Sequence, residues 1–253
     1  MTESNINPGA RKPLGIKSYG HVPHLPGSRI GPGDHKCHVG QDRICTVKTR
    51  DRHDQIMVQE KLDGSNVGVA RLGEEIIALS RAGYRATTSP YEQHHLFAHW
   101  VRQNDARFRA VLREGERVCG EWLALAHGTR YDLQHEPFVA FDLMTGSTRT
   151  PYDEFLTRIA PGEFITPHVL HRGEAVSIDD ALKALGSFGF HGALDPVEGA
   201  VWRVERHELI HPNSGERHLL VDFLAKFVRP DKIDGSYLPE VSTKPEVWNW
   251  RPS

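Results

Sequence analysis

Cysteine is scarce in this chain of 253 residues: Cys37, Cys45 and Cys119 are the only three. Their number is odd and none forms a C-x-x-C pair, so a disulfide scaffold is excluded and reduced thiols in a cytoplasmic protein are expected. A zinc site is disfavoured as well, because "DHKCH" at 34–38 has no second ligand pair at a finger-like spacing. No apolar run approaches the roughly 20 residues of a membrane helix. The first fifteen residues hold no apolar stretch of the kind that opens a secreted chain, so neither a leader nor a membrane contact is expected. Charge of one sign is missing too: the net charge is -2, which excludes a globally basic nucleic-acid binder. There is no internal repeat and no long low-complexity tract.

What is present describes an ordinary globular chain, 38% hydrophobic and 25% charged, long enough for one large domain or two small ones. The charge is unevenly spread. Residues 1–53 hold nine Lys or Arg against four acids, and the rest hold 22 against 29. A basic N-terminal fifth on an acidic body suits either a polyanion contact or a solvated leader. Residues 1–43 are rich in Gly, Pro and His and read as irregular.

Strand-like runs follow at 43–49, 55–62, 66–72 and 75–81, and their Asp-Gly and Gly-Glu punctuation predicts an antiparallel meander with a hairpin at Asp63-Gly64. Ser89-Pro90-Tyr91-Glu92 has the form of a capping box, and Phe97, Trp100, Val101, Phe108, Val111 and Leu112 then recur at helical spacing up to Gly115. Further strands are predicted at 117–125, 137–144, 197–206 and 219–228, with a short strand "HELIHP" between the last two. Short helices are predicted after Thr150-Pro151 and after Ser177. The pattern is α+β, with antiparallel sheets flanked by helices.

"KLDG" at 61–64 is weak alone: an exposed lysine and a turn would explain it. It is followed in order by "SRAG" (80–83), "CGEW" (119–122), "FVAFDL" (138–143), "VEGAVWR" (197–203) and "LAKFV" (224–228). Each puts a charged or aromatic residue in or at the end of an apolar run, where alternation lets it project from a sheet face opposite the core. Arg81, Glu121, Glu198 and Lys226 would then line a groove around Lys61.

This collinear set resembles the covalent nucleotidyltransferase superfamily of ATP-dependent DNA ligases, RNA ligases and mRNA capping enzymes. Asn66 after K-x-D-G-S, with Ser80-Arg81 behind a short strand, is most similar to the RNA ligase 2 type. The resemblance spans roughly residues 55–230. It implies an adenylation domain at 44–230, between a basic segment at 1–43 and a polar tail at 231–253.

The resemblance further implies ATP-dependent joining of 3'-OH and 5'-phosphate RNA ends, in RNA repair, through a lysyl-AMP adduct on Lys61. Lys226 and Arg81 would supply catalytic positive charge. Glu60, Asn66, Glu121 and Phe141 would join them in holding the nucleotide: Glu60 or its backbone at the base edge, Glu121 at the ribose, Phe141 on adenine. Glu198 would hold Mg²⁺ or Mn²⁺. RNA ends are the expected partner, with an RNA-binding or repair protein as a further one.

The chemistry asks for these residue types. An amine attacks phosphorus only when unprotonated, and hard cations want carboxylate oxygens. Two departures stand out. Val228 occupies the place of a second lysine, with Arg229 in the wrong register to replace it. Only 27 residues follow Lys226, too few for a further RNA-gripping domain. The competing readings are a catalytically degenerate RNA-binding module and a DNA ligase or capping-type enzyme.

Overall fold

Strand alternation decides what lies on each side of this molecule. The computed structural model describes residues 11–210 and 215–252; residues 1–10 of the expected basic segment lie outside them. The chain forms α1 (Gln41–Thr46), β1 (Asp54–Lys61), β2 (Ser65–Leu72), β3 (Glu75–Ser80), α2 (Glu92–Gln103), α3 (Asp105–Val111), β4 (Glu116–Trp122), β5 (Phe138–Thr145), β6 (Thr148–Arg149), α4 (Tyr152–Ile159), β7 (Val169–Gly173), α5 (Ile178–Leu185), β8 (Gly199–Leu209), β9 (Arg217–Val228) and α6 (Pro239–Ser242). The strands make two antiparallel sheets, ordered β7-β1-β8-β9 and β3-β2-β4-β5-β6. The fold is α+β.

On β1, Ile56 and Val58 join Trp202 and Val204 of β8 and Ala225 and Phe227 of β9 in one core, closed by Cys45 of α1 and Ala181 of α5. The odd positions point the other way, toward the second sheet, whose own core holds Phe97, Trp100 and Phe108 against Trp122 and Phe138. Between the sheets runs a cleft of about 740 Å³. Burial of the aromatic and branched side chains on both outer layers supplies the main driving force, about 1.5–3 kcal/mol per large residue.

Several sequence expectations change. Residues 43–49 are not a strand: α1 covers 41–46, starting after Gly40 at φ 91, and buries Cys45 against the first sheet. Asp63-Gly64 does not close a hairpin, because β1 pairs with β7 and β8 while β2 pairs with β3 and β4. The chain crosses from one sheet to the other there, so the four runs are not one meander; only β2–β3 is a hairpin, turning at Gly73-Glu74. Ser89 is not the cap of α2, which begins at Glu92 without a side-chain cap; its hydroxyl is committed to His94 Nδ1 at 2.6 Å. The single helix expected over 97–112 breaks at Asn104, whose side chain donates to the Trp100 carbonyl.

The helix after Ser177 forms as expected, with the serine oxygen accepting from Asp180 N and Gly186 at φ 68 behind it. The first three residues of the expected strand "HELIHP", 207–209, are the end of β8, and its last two lie outside the described residues; β7 had no period-two pattern to betray it. The polar tail is tied down: Trp250 packs on Trp122, and Asn249 donates to the Leu123 carbonyl. No helix among the described residues is long and apolar enough to cross a membrane.

Candidate active site

Lys61 ends β1 on the cleft face, opposite Gly199 of β8. Two residues on, Asp63 accepts from Gly128 N and from the Thr129 hydroxyl, both at 3.0 Å, so it anchors the crossing to a distant loop. Gly64 then passes so close to β4 that a Cβ would sit 2.5 Å from the Trp122 carbonyl oxygen. Its N–H donates to Glu121 Oε1 at 3.2 Å. The motif is therefore a bolted sheet-to-sheet crossing that fixes the lysine at its start.

Around Lys61 the cleft brings together Asn66, Arg81, Glu121, Phe141, Glu198 and Lys226. Glu198 precedes β8, and its Oε2 lies 2.5 Å from Lys61 Nζ. The following Gly199 has φ +156, and a Cβ there would meet the Phe227 carbonyl oxygen at 1.9 Å, which accounts for the glycine in "EG". Alternation turns Phe141 away from Phe138 and Ala140, and a bulge, where Cys119 pairs with Asp142 but the next residue, Gly120, pairs with Ala140, brings Asp142 to the same cleft face. Phe138 stays in the core while Phe141 lines the cleft, its ring edge-on to Tyr19 at 5.1 Å. The buried Asn66 Oδ1 has no hydrogen-bond partner among the described residues and so is ready for a donor from a ligand.

Expected at the base edge through its side chain or its backbone, Glu60 turns its side chain away. It shares the outer face of β1 with Ile56 and Val58, and its buried carboxylate accepts from Phe190 N at 2.9 Å. Only its backbone can border the cleft. Arg229 donates to the Gly186 carbonyl at 2.5 Å, so it does not replace the missing lysine either. Val228 is covered by the N-terminal segment, its N–H donating to Ser28 Oγ at 2.9 Å.

Charge is the site's main chemical property. Burial alone would lower the Lys61 pKa, but the Glu198 and Glu121 carboxylates outweigh it and hold the ammonium form above the ordinary lysine value. Burial pushes Glu121 up to about 7 and raises Glu198 as well, against the pull of Lys61. Burial and the neighbouring Lys61 charge lower the Lys226 pKa, with Asp34 opposing them at 3.5 Å from Nζ.

No group of three or more His, Cys, Asp or Glu side chains able to hold a metal occurs among the described residues. Glu198, Glu121 and Asp234 nevertheless offer carboxylate oxygens in the cleft, and burial, with neighbouring carboxylates as a smaller cause, raises the Glu121 and Glu198 carboxyls. That donor set fits a hard dication brought in with phosphate ligands of its own.

The N-terminal segment is part of the site. Leu25 N donates to the Lys226 carbonyl at 2.8 Å, and Lys226 N to the Pro23 carbonyl at 2.9 Å. Buried His24 holds Asp34 at 2.9 Å. Tyr19 donates to Asp142 at 2.6 Å, and Arg203 donates to the same carboxylate from β8. Arg203 is thus a buried structural cation joining the two sheets. Tyr19, Asp34, His94, His127 and Asp234 belong to no motif of the sequence, and no spacing signals them.

The chain spans about half the length of the solved structures it matches. An RNA ligase of Naegleria gruberi solved with AMP and manganese is 13% identical, with 86% of this chain and 61% of that one covered at a TM-score of 0.49. An archaeal ATP-dependent RNA ligase is 20% identical over 70% and 44%, at 0.46. A DNA ligase candidate from Aquifex aeolicus is 18% identical over 69% and 43%, at 0.40. No curated protein matches. The model of the family described as RNA ligase matches residues 54–228, from the start of β1 to the end of β9 with the strand walls of the cleft between them, and the chain belongs to that family.

Proposed function

We propose that this protein is an ATP-dependent RNA ligase that works through a lysyl-AMP adduct on Lys61. The observation that carries the reading is the Lys61–Glu198 pair at the floor of the cleft, with Glu121, Phe141 and Lys226 around it.

Glu198 and Glu121 keep Lys61 protonated in the free protein. When their charge is taken up, Asp63 alone of the carboxylates named still favours the ammonium form, against burial and the neighbouring Lys226 charge, which favour the neutral amine. Magnesium brought in with ATP would supply that charge and neutralise the triphosphate. Glu198 and Asp234 would hold it. Phe141 stacks on the base, Glu121 accepts from the ribose, and the backbone of Glu60 reads the base edge. Lys226 and Arg81 stabilise charge on the phosphates, and Asn66 donates to phosphate or accepts from the RNA end.

The Lys61 nitrogen forms a bond to the α-phosphorus as the bond to pyrophosphate breaks. A 5'-phosphate oxygen of RNA then takes AMP from the lysine. The 3'-OH finally displaces AMP, sealing the strand as in repair of broken RNA. Residues 44–230 would carry this chemistry, with the N-terminal segment as a cover that sets Lys226. We expect a cytoplasmic enzyme.

The test is covalent labelling with α-labelled ATP and Mg²⁺ after pyrophosphate treatment. Label should stay on denatured wild type, be absent from Lys61→Ala, and disappear with chelator. Folded wild type that takes no label would reduce the protein to an RNA-binding module. A panel of nicked RNA and DNA duplexes, with ATP against GTP, separates the DNA-ligase and capping readings.

A further inference from the structure

The cleft's charge is segregated. Glu121, Glu198 and Asp234 line the end that holds Lys61, with Asp63 beneath them. Between Ser80 and His94 the same cleft is lined without a single Asp or Glu. That second wall is a shelf made by the turn after β3 and the approach to α2.

The shelf carries cations and an exposed ring. Arg81 is exposed, and its guanidinium makes no hydrogen bond or ion pair among the described residues. Tyr91 is 48% exposed. The N-terminal segment adds two lysines at the rim. Lys12 Nζ lies 5.3 Å from the centre of the Tyr84 ring. Gly83, at φ +90, lies so close to the segment that a Cβ would be 3.1 Å from Lys17 Cα.

The shelf is also fixed relative to Lys61. The His94 imidazole lies between two hydroxyls, with Nε2 3.0 Å from Ser65 Oγ and Nδ1 2.6 Å from Ser89 Oγ. Ser65 opens β2 directly after the lysine-bearing crossing. Burial drives the His94 pKa down to about 4, so the link is neutral and stays intact at physiological pH.

We propose that this shelf is the subsite for the end of a single-stranded RNA, with phosphates on Arg81, Lys12 and Lys17 and a base on the Tyr91 ring. The proposal rests on the nucleotidyl-transfer reading of the cleft. Arg81 and two lysines near an exposed aromatic ring, on a wall whose cleft lining holds no Asp or Glu and whose neighbouring Glu92 is paired with Arg251 at 3.1 Å, are what a single strand uses. A mononucleotide bound at Lys61 does not use an exposed ring at the far rim. An acidic peptide would use the cations but gain little from the ring.

The test is photo-crosslinking of the full chain to a short oligoribonucleotide with a 3'-OH and a terminal thiouridine, mapped by mass spectrometry. Affinity is measured in parallel by fluorescence anisotropy. Crosslinks should fall between Tyr84 and Tyr91. Tyr91→Ala should weaken RNA binding about five- to hundredfold, and Lys17→Ala should flatten its salt dependence. Crosslinks only outside residues 80–94, Tyr91→Ala binding within twofold of wild type, or displacement by an acidic peptide with equal loss in both proteins would overturn the shelf. Lysine labelling separates the two readings. Label on Lys61 without shelf crosslinks removes the shelf and keeps the ligase. Shelf crosslinks on a protein that takes no label remove the ligase and keep an RNA-binding shelf.

Discussion

Phe138 and Phe141 stand three residues apart on β5 and face different environments. Alternation turns Phe141 into the cleft and leaves Phe138 fully buried between Phe97, Trp100 and Phe108. Phe141→Ala should therefore raise the KM for ATP in lysine labelling about tenfold while moving the urea midpoint little. Phe138→Ala should cost about 3–5 kcal/mol of stability, read as a lowered urea midpoint. Glu60 gives a residue-scale prediction of another kind. Burial pushes its carboxyl up to about 7, with one hydrogen bond from Phe190 N opposing. The folded state then holds a proton that the unfolded state releases near the ordinary value of about 4.5, so stability falls as pH rises from there to about 7. Glu60→Gln should remove up to about 3 kcal/mol of that slope, measured as urea unfolding at pH 5 and pH 8.

At the scale of the element, two close approaches hold Lys61 and Glu198. The crossing from β1 to β2 is pinned by Asp63 to the 128–129 loop and by Gly64 against β4. The start of β8 is pressed on β9 at Gly199, and Arg229 N returns to the Glu198 carbonyl at 2.9 Å. Gly199→Ala would strain a left-handed backbone and push β9 away. It should lower stability by about 2 kcal/mol or more and reduce lysine labelling further than that loss explains, because Glu198 moves with the strand. The check is labelling at a temperature where circular dichroism shows the variant still folded. K-x-D-G and E-G were visible as strings, yet a hairpin was the natural reading of Asp-Gly. Local turn chemistry is the same whether a chain returns to its own sheet or enters another; only the partners of Asp63 and Gly64 tell the two apart.

Across the whole molecule, a buried cluster joins the N-terminal segment to both sheets. Tyr19, Asp142 of β5 and Arg203 of β8 meet there, and Arg149 reaches the same carboxylate at 3.3 Å. Asp142→Asn would leave Arg203, 1% exposed, without its main charge partner. The expected loss is about 3–5 kcal/mol, with protease cutting in the 11–40 segment appearing at lower urea than in wild type. The segment read in the sequence as irregular and basic is a strap: His24 and Leu25 lie along Lys226, and Ser18 is buried beside Gly68.

The sequence by itself determined the α+β class, most strand positions, and the ordered string from Lys61 to Lys226, because alternation and nearest-neighbour chemistry are written along the chain. It misplaced α1, since "ICTV" satisfies a strand until the Cys45 side chain finds its core across 130 residues of chain at Ala181 and beyond. It left open whether Glu60 meets the base by its side chain or its backbone, because adjacency in sequence hides that neighbours on a strand face opposite ways; the carboxylate lies on the outer face. Only the tertiary structure decided that the two sheets are separate, that Asp34 meets Lys226 and that His94 is bolted to Ser65. Those are contacts between segments far apart in the chain, and a contact that packing alone creates leaves no spacing in the sequence from which to read it.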